Sequence, residues 1–171
     1  KGMFAVHRLA ADNWPVLPTP ALTLPPESSY LGLDYPFAFC ACAPGDAPTP
    51  ALRLTGVQTG APRPGAELTL LTAWETGGPH FVSLALFVHL LDGNGAIVAQ
   101  DDGLGYPPHT WQPGDRFLQV ARLPLPADLP PGDYTLQFGL YDRADGRRWP
   151  VLTPDGQPTA DRLLLPVKVG D

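Results

Sequence analysis

Cysteine and serine are nearly missing from this chain: two cysteines and three serines occur in 171 residues. The thiols, Cys40 and Cys42, stand one residue apart. That spacing is neither the redox Cys-x-x-Cys nor a set of ligands sufficient for zinc. On an extended strand both would project to one side. Free cysteine usually packs as a small buried hydrophobe, and that is the reading here, with a local disulfide as the alternative. None of Ser28, Ser29 and Ser83 sits in a Gly-x-Ser-x-Gly turn, so serine nucleophile chemistry has no motif to stand on. Ser83 is read as part of a buried strand.

Positive charge is scarce too. Eleven Lys and Arg face 17 Asp and Glu, a net charge of −6, and Arg147-Arg148 is the one basic doublet. Nucleic acid and anionic membranes need a concentrated basic face, so neither is expected as a partner. The longest apolar run, Phe81 to Leu91, is broken by Ser83 and His89 and falls short of the roughly 18 residues of a membrane span. No direct membrane insertion is expected. A signal peptide is not visible, which does not by itself establish a cytoplasmic home. No stretch of ten residues keeps a 3.6 period, so helix is not expected either.

What the chain has is proline, glycine and alternation. Proline makes up 23 of the 171 residues and glycine 18. From Tyr134, the side chains of Tyr134, Leu136, Phe138 and Leu140 point one way, while Thr135, Gln137, Gly139 and Tyr141 point the other. A period of two behind the Pro130-Pro131-Gly132 turn marks a strand. Further strands are read over residues 51–58, 66–75, 80–91, 96–101, 116–125, 147–152 and 162–169. The 80–91 strand is apolar on both faces, which predicts a central position covered twice. Asp92-Gly93-Asn94-Gly95 is a hairpin signal. Seven or eight strands with turns every 8–12 residues make an all-β, antiparallel, immunoglobulin-like β-sandwich. Pro131 and Gly132 set its turn. Tyr134 stands where a tyrosine corner would, its hydroxyl expected to bond backbone near Asp128 to Pro130.

Residues 1–50 hold nine of the prolines. Short strands are read at 3–9 and 36–43, joined by polyproline-like segments. The expected organisation is a proline-rich arm over 1–50 that packs on a sandwich domain over 51–171, with the boundary near residues 44–48.

The strand and turn signatures also resemble a known family. They are Phe87-Val-His-Leu-Leu-Asp-Gly-Asn-Gly, Ala99-Gln-Asp-Asp-Gly, Tyr106-Pro-Pro-His-Thr-Trp-Gln-Pro-Gly-Asp, Leu125-Pro-Ala-Asp-Leu-Pro-Pro-Gly-Asp-Tyr and Gly139-Leu-Tyr-Asp. Together with Arg8-Leu-Ala-Ala-Asp-Asn-Trp-Pro, they are similar to the extracytoplasmic C-terminal β-sandwich region of large bacterial membrane glycosyltransferases. Those are mannosyltransferase-like proteins of filamentous phototrophs such as Chloroflexus. The resemblance covers residues 51–169 and that N-terminal patch. It implies an accessory domain on the outer face of a membrane. The glycosyl-transfer site of such proteins lies elsewhere, so the resemblance implies no catalytic residue here.

Three groups of residues are candidates for chemistry. Asp101 and Asp102, with Asp115 closing the same loop, offer hard oxygens for Ca²⁺, which takes six to eight of them; the alternative is a solvated strand end. Tyr106, His109 and Trp111, with Trp149, would form an aromatic platform for a glycan if exposed, since binding residues gather on loops; the alternative is that Trp111 closes the end of the core. His89 on the central strand is read as hydrogen-bonded packing, and His7 and His80 are assigned nothing. The expected function is therefore a non-catalytic accessory or interaction domain without a cofactor, its partner a glycan or a membrane-protein neighbour. A carbohydrate-binding module is the second reading. A glycoside hydrolase with two carboxylates across a groove is the remote one.

Overall fold

A computed structural model of the chain describes residues 14–28, 35–42 and 49–170. The strand expected at 3–9, the domain boundary expected at 44–48 and most of the Arg8 patch lie outside the described residues. Within them the chain is an antiparallel β-sandwich of the immunoglobulin-like type, with ten strands rather than seven or eight. They are β1 (Phe37–Cys40), β2 (Pro50–Thr59), β3 (Glu67–Thr76), β4 (Leu84–Leu91), β5 (Ile97–Gly103), β6 (Arg116–Pro124), β7 (Gly132–Asp142), β8 (Val151–Leu152), β9 (Pro158–Ala160) and β10 (Leu163–Val169). One sheet runs β6-β3-β2-β1-β8-β9 and the other β10-β7-β4-β5.

Alternation decides which residues fill the space between the sheets. The register places Phe37 opposite Leu54, Leu54 opposite Trp74 and Trp74 opposite Phe117, one row across four strands of the larger sheet. The facing row is Leu86 and Leu140, then Val88, Phe138 and Leu163. All of these are buried. At about 25 cal/mol per Å² of apolar surface, a core of large rings and leucines is the main stabilising term. The Trp74 indole donates to Thr72 at 2.7 Å, and the Thr72 hydroxyl donates to the Gln119 carbonyl, so the polar atoms of this buried pair are satisfied.

β1 comes from the proline-rich stretch before residue 50. Phe37–Cys40 lies between β2 and β8 inside the larger sheet, with Phe37 and Phe39 in the core. Residues 14–28 run along the sandwich. Thr23 exchanges two backbone hydrogen bonds with Leu164, extending the smaller sheet beyond β10. Pro166, two residues on, faces the same free edge, where its missing N–H leaves no donor for another strand. Arg162 fastens the same segment by donating to Glu27 at 2.6 Å. Leu17 rests on Gly56, where a Cβ would come within 2.8 Å of the Leu17 Cβ.

Cys40 and Cys42 are joined in a disulfide, which corrects the free-thiol reading. β1 ends at Cys40, so Cys42 follows the strand instead of continuing its pleat. Ser83 is likewise exposed rather than buried, because β4 begins only at Leu84. No helix of the described residues is long and apolar enough to cross a membrane.

Candidate functional site

The loop aromatics do not form an exposed platform. Trp111 is 2% exposed and Trp149 is 1% exposed. Trp111 stacks on Phe117 with ring centres 5.9 Å apart, and its indole donates to the Tyr106 carbonyl at 3.2 Å. Tyr106 packs edge-on against Phe117 at 5.4 Å and is half-buried. His80 lies between the two indoles, 6.0 Å from Trp111 and 5.4 Å from Trp149. Burial holds the His80 imidazole below its ordinary pKa. The loop therefore folds inward and closes one end of the sandwich, because burying indole surface is favourable. His109, on the short 3₁₀ turn at Pro108–Thr110, is the exposed member.

The three aspartates do not converge. Asp101 and Asp102 are neighbours on β5, which runs on to Gly103, so they point to opposite faces. Asp101 accepts the Arg122 backbone N–H at 2.7 Å and so caps the outer edge of β6. Asp115 accepts from the Tyr106 hydroxyl at 2.8 Å and from the Gln112 N–H at 2.9 Å, closing its own turn. Among the described residues no group of three or more His, Cys, Asp or Glu is placed to hold a metal ion. Tyr134 donates its hydroxyl to the Pro130 carbonyl at 2.9 Å, a structural bond at the turn that Pro131 and Gly132 shape.

A different set of side chains comes together on the outer face of the smaller sheet. β4 is central there, between β7 and β5. His89 lies opposite Gln100 on one side and Gln137 on the other; one step along, Phe87 lies opposite Asp102 and Gly139. Residues directly opposite share a face, so these two rows form one surface with Tyr141 at its end. The Gln137 amide nitrogen lies 3.1 Å from His89 Nδ1 and donates to it. That leaves the ring proton on Nε2, facing Asp102 Oδ1 at 3.4 Å. The Tyr141 hydroxyl donates to Asp102 Oδ2 at 3.3 Å. A polar chain Gln137–His89–Asp102–Tyr141 thus crosses three strands.

Phe87 is the floor of this surface. The apolar reading of β4 holds at this point, since Ala85 and Phe87 are buried on the outer side as well. The Arg148 guanidinium covers the Phe87 ring at 4.4 Å, a cation–π contact. Asp161 accepts from Arg148 at 2.8 Å and from Arg162 at 2.6 Å. Burial alone would raise the pKa of Asp161, but the bonds from the two arginines outweigh it and hold the carboxyl low. Gly139 makes the floor possible: a Cβ there would stand 2.8 Å from the Phe87 ring. The reading of His89 as hydrogen-bonded packing names no partners, and this cluster supplies them. Two signals pointed to it: a glycine inside a strand, which marks close approach, and the shared parity of Gln137, Gly139 and Tyr141.

A cavity of about 200 Å³ lies on the other sheet, between Trp14–Leu17 and the strand residues Thr55, Ala73 and Arg116. Its one cation, Arg116, donates to Glu75 at 3.1 Å.

No family model matches the chain. No curated protein sequence matches it. Among solved structures it is similar to the C-terminal domain of Wzt, with 15% identity over 77% of this chain and 82% of that one at a TM-score of 0.49. It is also similar to a Niemann-Pick type C2 protein from Japanese carpenter ant, with 7% identity over 79% and 93% of the two chains at a TM-score of 0.37. Neither likeness assigns a role to any residue of this chain.

Proposed function

We propose that this chain is a non-catalytic, extracytoplasmic binding domain, an accessory to a membrane glycosyltransferase, that contacts a glycan through the outer face of its smaller sheet. The polar chain Gln137–His89–Asp102–Tyr141 carries the reading. It places amide, imidazole, carboxylate and phenol on one open surface. Sugars present hydroxyls and apolar ring faces, and this set of groups complements both. Bond cleavage asks instead for reacting groups that converge around the substrate. The surface here is spread along strands and suits lateral contact with an extended ligand. The Cys40–Cys42 disulfide supports an oxidising compartment outside the cytoplasm. The resemblance of the strand and turn signatures supports the glycosyltransferase setting. No cofactor is proposed.

The purified chain, presented to an array of bacterial surface polysaccharides, tests the reading. Binding without release of reducing ends is expected. Tyr141→Ala, with unchanged circular dichroism, is expected to weaken binding about tenfold, the equivalent of 1.4 kcal/mol. Released reducing sugar would make the chain a hydrolase. Binding that ignores Tyr141→Ala would move the contact surface elsewhere.

A further inference from the structure

We infer that the sheet-face site selects a neutral, hydroxyl-rich glycan over an acidic one, and that Asp102 is its specificity-determining residue. The inference rests on the binding role just proposed and names the chemistry of the ligand.

Asp102 differs from the other paired acids of the described residues. Glu75, Glu67, Asp145 and Asp161 each face an arginine within 4.0 Å, and Glu27 faces Arg162 at 2.6 Å. Asp102 faces His89 alone. Its two contacts, at 3.4 and 3.3 Å, are longer than the roughly 2.5–2.9 Å of strong charge-assisted bonds. An ionised carboxylate has about four acceptor positions, so Asp102 retains capacity for new donors. Its side chain is 31% exposed, against 12% for His89. The carboxylate is thus held in place from behind by the imidazole and the phenol, and open in front.

Vicinal hydroxyls are the donors that fit such an acceptor, one to each oxygen. Gln100 and Gln137 flank His89 and can donate and accept for hydroxyls farther along the chain of sugars. An acidic glycan meets the opposite conditions. Arg148, whose guanidinium covers the Phe87 ring, is already turned to Asp161. Asp102 then stands as a charge with no arginine or lysine beside it among the described residues. The chain as a whole carries −6. A uronate arriving at this face meets like charge without a fork to hold its carboxylate.

The test compares neutral mannan and galactan oligosaccharides with oligogalacturonate and alginate fragments, by calorimetric titration of the full chain. The neutral probes are expected to bind and the acidic ones to bind at least about tenfold more weakly, a difference of 1.4 kcal/mol. Asp102→Asn keeps the shape and removes the charge. It is expected to lower neutral binding and to leave acidic binding equal or stronger, with an unchanged melting temperature. Gln100→Lys, at an exposed position two residues away on the same face, is expected to raise acidic binding. A wild-type preference for the acidic probes would overturn the inference while leaving the binding role intact. Tighter capture of oligolysine than of any glycan would also overturn it, by making a basic peptide the partner. Loss of all probe binding, with Tyr141→Ala and Asp102→Asn both silent, would remove the binding role itself.

Discussion

Phe87 and Gly139 are partners across β4 and β7, and the ring of one occupies the space where the other would carry a side chain. A Cβ at 139 would lie 2.8 and 2.9 Å from two ring carbons of Phe87 and 2.9 Å from the Asp161 carbonyl oxygen. The backbone of Asp161 closes off one direction of escape and the guanidinium of Arg148 covers the ring. Gly139→Ala is therefore expected to destabilise the fold by about 1–3 kcal/mol, the usual cost of overpacking. Urea unfolding measures it. A loss below roughly 0.5 kcal/mol, the range of neutral surface changes, would mean that the ring moves freely and is no floor.

The strands were largely legible because their alternation is local. The reading of 66–75 against Glu67–Thr76, 116–125 against Arg116–Pro124 and 162–169 against Leu163–Val169 differs by one residue at each end that moves. Lateral order was not legible. Nothing near Phe37–Cys40 says that it inserts between β2 and β8, since its β8 partners, Val151 and Leu152, lie far along the chain. β9, Pro158-Thr159-Ala160, has too little apolar surface to show a period. The candidate site divides along the same line. β5 reaches Gly103 and so separates Asp101 from Asp102; ending the strand at Asp101 leaves the two carboxylates at a strand end beside the loop that Asp115 closes, which suggests calcium. Trp111 and Trp149 look alike in sequence whether they point inward or outward, and only the closure of the sandwich end decides it.

Trp111 is accordingly a stability residue. It stacks on Phe117, meets Tyr106 and His80, and bonds the Tyr106 carbonyl. Trp111→Ala is expected to cost about 3–5 kcal/mol, the range for removing a large buried ring. Differential scanning calorimetry should show a large drop in melting temperature. A variant that melts as the wild type does would return Trp111 to the surface and restore the loop platform as a glycan site.

Tyr35 presents the reverse case. Its ring packs edge-on against Phe37 with centres 4.8 Å apart, and its buried hydroxyl has no hydrogen-bond partner among the described residues. Burial raises its pKa, so the phenol stays neutral at any working pH. An unpaired buried hydroxyl carries a desolvation cost of about 1–3 kcal/mol. Tyr35→Phe keeps the ring and removes that cost, so stability in urea is expected to rise by up to that amount. A loss of more than about 0.5 kcal/mol, beyond the neutral range, would show that the hydroxyl is bonded in solution.

His80 gives the sandwich an acid sensitivity that its aspartates do not explain. Burial between the two indoles lowers its folded pKa, while the unfolded chain keeps an ordinary histidine. Above about pH 6.5 both states are neutral and the group contributes no pH dependence. As the pH falls below that value the unfolded state takes up its proton first, so stability declines. The decline stops once the pH passes below the lowered folded value, where both states are charged. His80→Gln is expected to flatten this part of the stability profile, read as the urea midpoint between the ordinary histidine pKa and the carboxylate range. Asp161 acts at lower pH: its depressed carboxyl supports the fold above the ordinary aspartate value and is lost only as pH falls through the folded pKa. The two steps are separable, and Asp161→Asn should remove the lower one alone. A wild-type profile flat from neutral pH to the onset of carboxylate protonation would show that the imidazole is hydrated and not enclosed by Trp111 and Trp149.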